Sequence, residues 1–205
     1  MGAKFMNFGG LGRWWAGAAI LLLALAAGAP ALPASGTAPA LRIRDLLVID
    51  KNGHLLVFAS LEDPFASPEL FEAVQSGVTT RFTFELGLLR SRRFIYDSEI
   101  LSRRVVHQVK YDALKKAYTF LIQREPQESA QRVTQSRDEM ADWMREINGV
   151  AIAQVRELDP QSQYYLRIRA RVNSVDFGFP FSYILAFMGQ KTDWAYTPAF
   201  GLQGM

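Results

Sequence analysis

The sequence predicts a β-dominated antiparallel sandwich with two short helices inserted in its connections. Three observations carry that expectation. Apolar and polar residues alternate with period two in stretch after stretch, an Asn-Gly pair joins two such stretches, and residues 158–170, LDPQSQYYLRIRA, combine a turn, a strand and a corner. In that segment Tyr164, Leu166, Ile168, Ala170 and Val172 fall on one side, and Tyr165, Arg167, Arg169, Arg171 and Asn173 on the other, the pattern of a half-buried strand. Leu158-Asp159-Pro160 supplies the turn before it, with Tyr164 four residues after the proline. That spacing resembles the tyrosine corner of Ig-like sandwiches, in which a phenol hydroxyl at a strand's start bonds upstream backbone, so that it is not buried unpaired. The plainer alternative is an ordinary turn entering an antiparallel sheet.

The remaining elements follow in order from Leu41, where the domain is expected to begin. Residues 41–49 and 54–61 alternate on either side of Asp50-Lys51-Asn52-Gly53, and Asn-Gly accepts the positive backbone angles of a hairpin turn. Ser67 is placed to cap a helix with Pro68 at its first position; Leu70, Phe71 and Val74 form its apolar face and Gly77 ends it. Residues 78–89 alternate again, with Thr80, Phe82, Phe84 and Leu86 opposite Thr79, Arg81, Thr83 and Glu85. Further strands are expected at 94–101, 105–111 and 117–123, the last two joined around Asp112-Ala113-Leu114-Lys115, so strand following strand makes a meander. Residues 124–135 are polar and suggest a connection. Ser136 and Glu139 then have capping-box spacing before Met140, Trp143, Met144 and Ile147, and Asn148-Gly149 is expected to stop that helix. Residues 150–155 are expected to be extended, and 181–188 to form a core-closing strand.

Before the domain lies a different kind of segment. Residues 1–31 carry Lys4, Arg13 and no acid, then an apolar run from Trp14, then small residues in which Ala29 and Ala31 make an Ala-x-Ala site. This is the order of a secretory leader cut after Ala31; the alternative is an uncut membrane anchor, since residues 14–31 approach the roughly 18 apolar residues of a spanning helix. Residues 32–40 are expected to be a flexible tether, and 41–205 a single sandwich domain, large enough to bury a core. The expected location is the periplasm or the periplasmic face of the inner membrane.

Composition excludes several chemistries. There is no cysteine, which removes disulfides, thiolate metal sites and a thiol nucleophile. The formal charge of +3 includes the leader's Lys4 and Arg13; without them 21 basic residues face 20 acidic ones, so no nucleic-acid partner is expected. No GxSxG elbow, HExxH pair or phosphate-cradling loop occurs in the domain, and neither a cofactor nor a metal is expected. His54 and His107 lie on separate expected strands without a spaced carboxylate, so a hydrolase using one of them with an acid is the weakest reading.

Two basic groups remain. Arg167, Arg169 and Arg171, with Arg42, Arg44 and Arg81 on other strands, can build a guanidinium surface for phosphates or an acidic partner; the plain alternative is a solvated sheet face interspersed with Glu85 and Glu157. Arg90, Arg92, Arg93, Arg103 and Arg104 bracket Phe94, Ile95 and Tyr96, a basic rim around an apolar patch suited to membrane or partner contact. Near the C-terminus aromatic residues accumulate, Trp194 among them, as at interfaces or in a closing strand.

Taken in order, residues 79–89, Arg103-Arg104, residues 143–147, residues 158–171 and Thr192-Asp193-Trp194 resemble DUF4390, a family of exported proteobacterial proteins with a leader, a β-rich domain and a late Asp-Trp. The resemblance covers roughly residues 41–197. It implies no catalytic residues, and it implies an envelope-side partner such as a membrane sensor kinase. The expected function is thus a non-enzymatic, periplasm-facing accessory or interaction module for a membrane protein or an anionic membrane surface. The alternative is a small-ligand or lipid carrier that opens between its sheets, lined by Phe82, Phe84, Phe120 and Phe181.

Overall fold

Asn52 and Gly53 both have positive φ, 56° and 76°, and they turn β1 (Ile43–Lys51) back on β2 (His54–Leu61) as the Asn-Gly pair predicts. The Asp50 carboxylate accepts the Gly53 N–H at 2.9 Å, which locks the turn. A Cβ at Gly53 would meet nothing within 4 Å, so Gly53→Ala tests backbone strain alone. It is expected to cost about 1 kcal/mol, read as a lower urea midpoint.

The computed structural model describes residues 41–66, 68–93, 96–124, 128–174 and 190–204. The expected leader and tether, Ser67, Phe94, Ile95 and the expected closing strand at 181–188 lie outside them. Among the described residues no helix is long and apolar enough to cross a membrane.

Helix α1 (Pro68–Gln75) buries Leu70, Ala73 and Val74 and ends before Gly77, whose φ is +83°. The chain then runs through β3 (Thr80–Ser91), β4 (Ser98–Asp112), β5 (Ala117–Arg124) and β6 (Glu128–Thr134), each antiparallel to the one before. Helix α2 (Arg137–Arg145) leads into β7 (Glu146–Gln154), which pairs with β2. Strand β8 (Gln163–Ser174) returns beside β3. Three two-residue pieces, β9 (Gln190–Lys191), β10 (Ala195–Tyr196) and β11 (Phe200–Gly201), run along the free side of β8 as one interrupted strand. Among the described residues the result is a three-stranded sheet ordered β1-β2-β7 and an eight-stranded sheet built on β8-β3-β4-β5-β6, a β-dominated antiparallel sandwich with two short helices.

The alternation expected from sequence sets the faces. Phe82, Phe84, Leu86 and Leu88 of β3 point inward beside Leu166, Ile168 and Ala170 of β8. Leu55, Val57 and Leu61 of β2, Ile152 of β7, and Met140 and Met144 of α2 belong to the same core. Each large apolar side chain so buried stabilises the fold by about 1.5–3 kcal/mol. At the entrance to β8 the Tyr164 ring is fully buried. Its hydroxyl donates to the Asp159 carbonyl at 3.1 Å and accepts the Asp159 N–H at 2.8 Å. This is the tyrosine corner, with Leu158 buried beneath it and Pro160 exposed in the turn.

Several boundaries differ from expectation. The strands expected at 94–101 and 105–111 are one, because β3 pairs with β4 without a break across Ser102-Arg103-Arg104. Residues 124–135, expected to connect, contain β6; it is an edge strand, held by its backbone ladder to β5 and with little to bury. Helix α2 stops at Arg145, before the expected Asn148-Gly149. Glu146 is already extended because β7 pairs with β2 from Glu146 onward. Gly149 instead uses its φ of +64° inside β7, opposite Phe58, where the register with β2 shifts. Ser136 does cap α2 through the Glu139 N–H, but the reciprocal half of the capping box is not made. The Glu139 carboxylate takes the Thr134 hydroxyl, and the Ser136 N–H goes to that same hydroxyl oxygen.

Candidate functional site

The inward phase of β3, β4 and β8 is apolar, so the outward phase carries the charges. Cross-strand register places Glu85 between Arg169 of β8 and Arg104 of β4, and Gly87 beside Arg167. Arg169 reaches the Glu85 carboxylate through Nε at 2.6 Å, and Arg171 lies 3.9 Å from it. Arg167 pairs with Glu99. The Trp194 ring lies over both guanidinium groups, 4.5 Å from the Arg167 carbon and 4.4 Å from that of Arg169. Together with Arg103, these groups enclose a depression of about 390 Å³. Arg104, Arg167 and Arg169 face two carboxylates there, so its field is positive; Arg103 also lines it, but its register with the inward Leu86 sets it on the opposite phase of β4.

Two local devices build this face. Gly87 forms its floor: a Cβ there would stand 3.1 Å from both Arg167 Nε and Glu99 Oε2, so any larger residue crowds the ion pair. Trp194 is held by the threonines that flank it. Thr192 gives its N–H to the Ala170 carbonyl and accepts the Ala170 N–H on its hydroxyl; Thr197 does the same with Leu166. These side chains carry the pairing across the gaps in the strand, and Asp193-Trp194 between them is left free of the ladder.

The expected basic rim therefore divides. Arg104 joins Arg167 and Arg169 on the sheet face, while Arg103, opposite Leu86, belongs to the other phase of β4 at the border of the depression. Arg90 pairs across to Ser98 near the far end of the hairpin, about 17 Å along the strand from Arg104. Its guanidinium sits 6.0 Å from the Tyr164 ring centroid. Arg92, Arg93 and Tyr96 are exposed at the tip, and Tyr96 is 96% exposed. Asp97 anchors the tip: its carboxylate accepts the Arg92 N–H and the Tyr165 hydroxyl, and these bonds, the backbone one foremost, hold it below the usual aspartate value. Arg44 does not join the surface; it pairs with Glu62 at the start of the three-stranded sheet. Arg81 does lie on the face and bonds Gln108 at 3.1 Å, while Glu157 sits in a separate 3-10 turn. Sequence reasoning missed Glu99, Gly87 and the positioning role of Thr192 and Thr197, since none of them has a local pattern.

A second concavity lies between the sheets. His107, Phe120, Ile122, Arg124 and Arg132 from the large sheet, Trp143 from α2, and Glu146 and Val150 from β7 line about 370 Å³. Of the four phenylalanines expected to line a carrier, only Phe120 does so; Phe82 and Phe84 are fully buried in the core, and Phe181 lies outside the described residues. His107 is 1% exposed, and its Nδ1 is 3.2 Å from the Met144 carbonyl oxygen. Because a carbonyl only accepts, Nδ1 carries the proton and Nε2 is left as an acceptor. Among the described residues nothing donates to it. Burial first, and then the charge of Arg124, push this imidazole from 6.5 down to about 4, although the Met144 carbonyl favours the protonated form. His54 is exposed on β2, in the other sheet. Among the described residues no three His, Asp or Glu side chains are grouped to hold a metal.

Neither the curated proteins nor the solved structures give a match to this sequence. Residues 38–198, most of the chain, match the family model described as Domain of unknown function (DUF4390), and the chain belongs to that family.

Proposed function

We propose that this protein is an exported, non-enzymatic module of the cell envelope that docks on an acidic surface of a membrane protein at the periplasmic face of the inner membrane. The observation that supports it is the Arg–Trp face: Arg104, Arg167 and Arg169 around one depression on neighbouring strands, with the Trp194 ring over Arg167 and Arg169. Guanidinium groups present paired donors to carboxylates and phosphates, and a tryptophan beside them supplies apolar contact area. Export is supported by the basic, apolar, small-residue order of residues 1–31. A membrane sensor kinase is the first partner to test, and an anionic bilayer is the other surface with the right charge.

Crosslinking in the native host followed by mass spectrometry tests the reading. The expected product joins residues around Arg104 and Trp194 to one membrane protein, and it is lost when Arg103 and Arg104 are both replaced by Glu. Absence of any membrane-protein adduct, together with no co-sedimentation with anionic vesicles, would sink the proposal.

A further inference from the structure

We propose that β6 is a docking edge for an extended segment of another protein, which adds to the large sheet as a further strand. That segment carries a large, uncharged apolar side chain on the phase that faces the cleft beside β6. The inference goes beyond the docking role proposed for the Arg–Trp face and uses none of its residues.

The last strand of a sheet leaves the N–H and C=O groups of alternate residues without a ladder partner, and folded proteins blunt such edges with bulges, breaks or charges. Of the four sheet edges among the described residues, three are blunted in their backbone. The pairing of β1 with β2 shifts between Arg44 and Leu47, around Asp45 with its φ of +54°. β7 shifts twice against β2 and holds Gly149 at positive φ. The strand outside β8 is cut into three two-residue pieces. β6 has none of these devices. Its seven residues pair with β5 without a shift, include no proline, glycine or lysine, and are exposed throughout positions 129–133. Since it buries little of its own, side-chain packing does not account for so regular a ladder.

Side chains decide which strand fits. On the inward phase Ala130 stands opposite Ile122 and Arg132 opposite Phe120, and these four residues line the cleft of about 370 Å³ together with Trp143 and Val150. A strand added outside β6 continues that phase, so every second side chain of it points to the cleft side; backbone bonds then give affinity and the cleft gives selectivity. Arg132 and Glu146 balance in charge there, so a charged side chain loses its hydration without a matching gain, whereas an apolar one covers Phe120 and Trp143. Arg132 also argues against a second copy as the occupant. Two-fold antiparallel pairing of β6 with itself sets both arginines on the same face and brings only Arg132 and Ala130 to the cleft. On the outward phase Val133, 60% exposed, is open to a β-branched neighbour.

The test is fluorescence anisotropy of the full chain with a labelled heptapeptide that alternates threonine with valine and carries phenylalanine at its centre. It is expected to bind at one site and to slow amide hydrogen exchange in β6. Replacing its phenylalanine by alanine is expected to weaken binding about tenfold, and replacing it by glutamate or by lysine about a hundredfold. N-methylation along its backbone, which removes the ladder donors, is expected to abolish binding. In the protein, Ala130→Lys puts a charge on the exposed edge and is expected to weaken the parent peptide about tenfold. The peptide series uses the unaltered chain, so it decides the matter even if that variant folds poorly. Equal binding of the glutamate or the N-methylated peptide overturns the proposal, as does unchanged exchange in β6 or no binding of any peptide at millimolar concentration. A dimer of the chain alone that Ala130→Lys dissociates would assign the edge to a second copy and overturns it as well. None of these results bears on the crosslinks at Arg104 and Trp194, so this edge and the docking face fail or stand independently.

Discussion

Tyr164→Ala is expected to cost about 3–5 kcal/mol, a large part of the 5–15 kcal/mol that holds a typical domain folded. The ring is fully buried between the β8 entrance and the core, so truncation leaves a cavity as well as losing apolar contact. Tyr164→Phe separates the two contributions. It keeps the ring and removes only the hydroxyl, which bonds both the N–H and the carbonyl of Asp159. Its expected cost is about 1–3 kcal/mol, because two backbone groups of the turn lose a partner. Urea denaturation followed by far-ultraviolet circular dichroism measures both. A phenylalanine variant as stable as the parent would mean that the corner is held by Asp159 itself, whose carboxylate accepts the Gln161 N–H and the Ser162 hydroxyl.

Acid is expected to weaken the fold well before its carboxylates are protonated. His107 titrates near 6.5 when unfolded and at about 4 when folded, with burial as the main cause. The unfolded chain therefore takes up a proton that the folded chain refuses, and stability falls as pH drops through that window. The expected loss is about 2 kcal/mol by pH about 5 and about 3 kcal/mol by pH about 4. The aspartates held low, Asp97, Asp112 and Asp159, act later. Each contributes stability that is present above 3.8 and lost as pH falls through its lowered folded value. Urea midpoints measured from pH about 7 to about 5 isolate the histidine. His107→Leu should be flat across that range whatever its absolute stability, and an equal slope in both proteins would assign the effect elsewhere.

Local pattern made some of this structure legible and left the rest hidden. Strands β2, β3, β5 and β8 bury one face each, so their alternation was written in side chains; the Asn52-Gly53 turn and the Tyr164 corner depend only on neighbours in sequence. Strand β6 has little apolar to bury and exists because β5 offers it a ladder, which no residue of β6 announces. Asn148-Gly149 looked like a helix stop because its backbone freedom is real, but pairing of β7 with β2 drew Glu146 out of the helix first. The Arg–Trp face required knowing that β4, β3 and β8 are neighbours in that order. Only then do Arg104, Glu85 and Arg169 form one row, and only then does Gly87 become its floor. Arginines 167, 169 and 171 are visible as a set and Glu85 as a charge among them, whereas Glu99, the partner of Arg167 and 68 residues away in the chain, is not.

Of the chain's four tryptophans, Trp14 and Trp15 lie in the leader-like segment, and the other two divide between the concavities, Trp143 in the cleft and Trp194 over the arginines. Each concavity thus carries its own intrinsic fluorophore. Trp143 reports on an apolar wall that a bound molecule would dehydrate, so occupation of the cleft shifts its emission to the blue. Trp194 is in contact with two guanidinium groups, and a partner that draws those arginines away changes its emission instead. With one of the pair and the two leader tryptophans replaced by phenylalanine, the protein's own light tells which concavity has been filled, with no label attached.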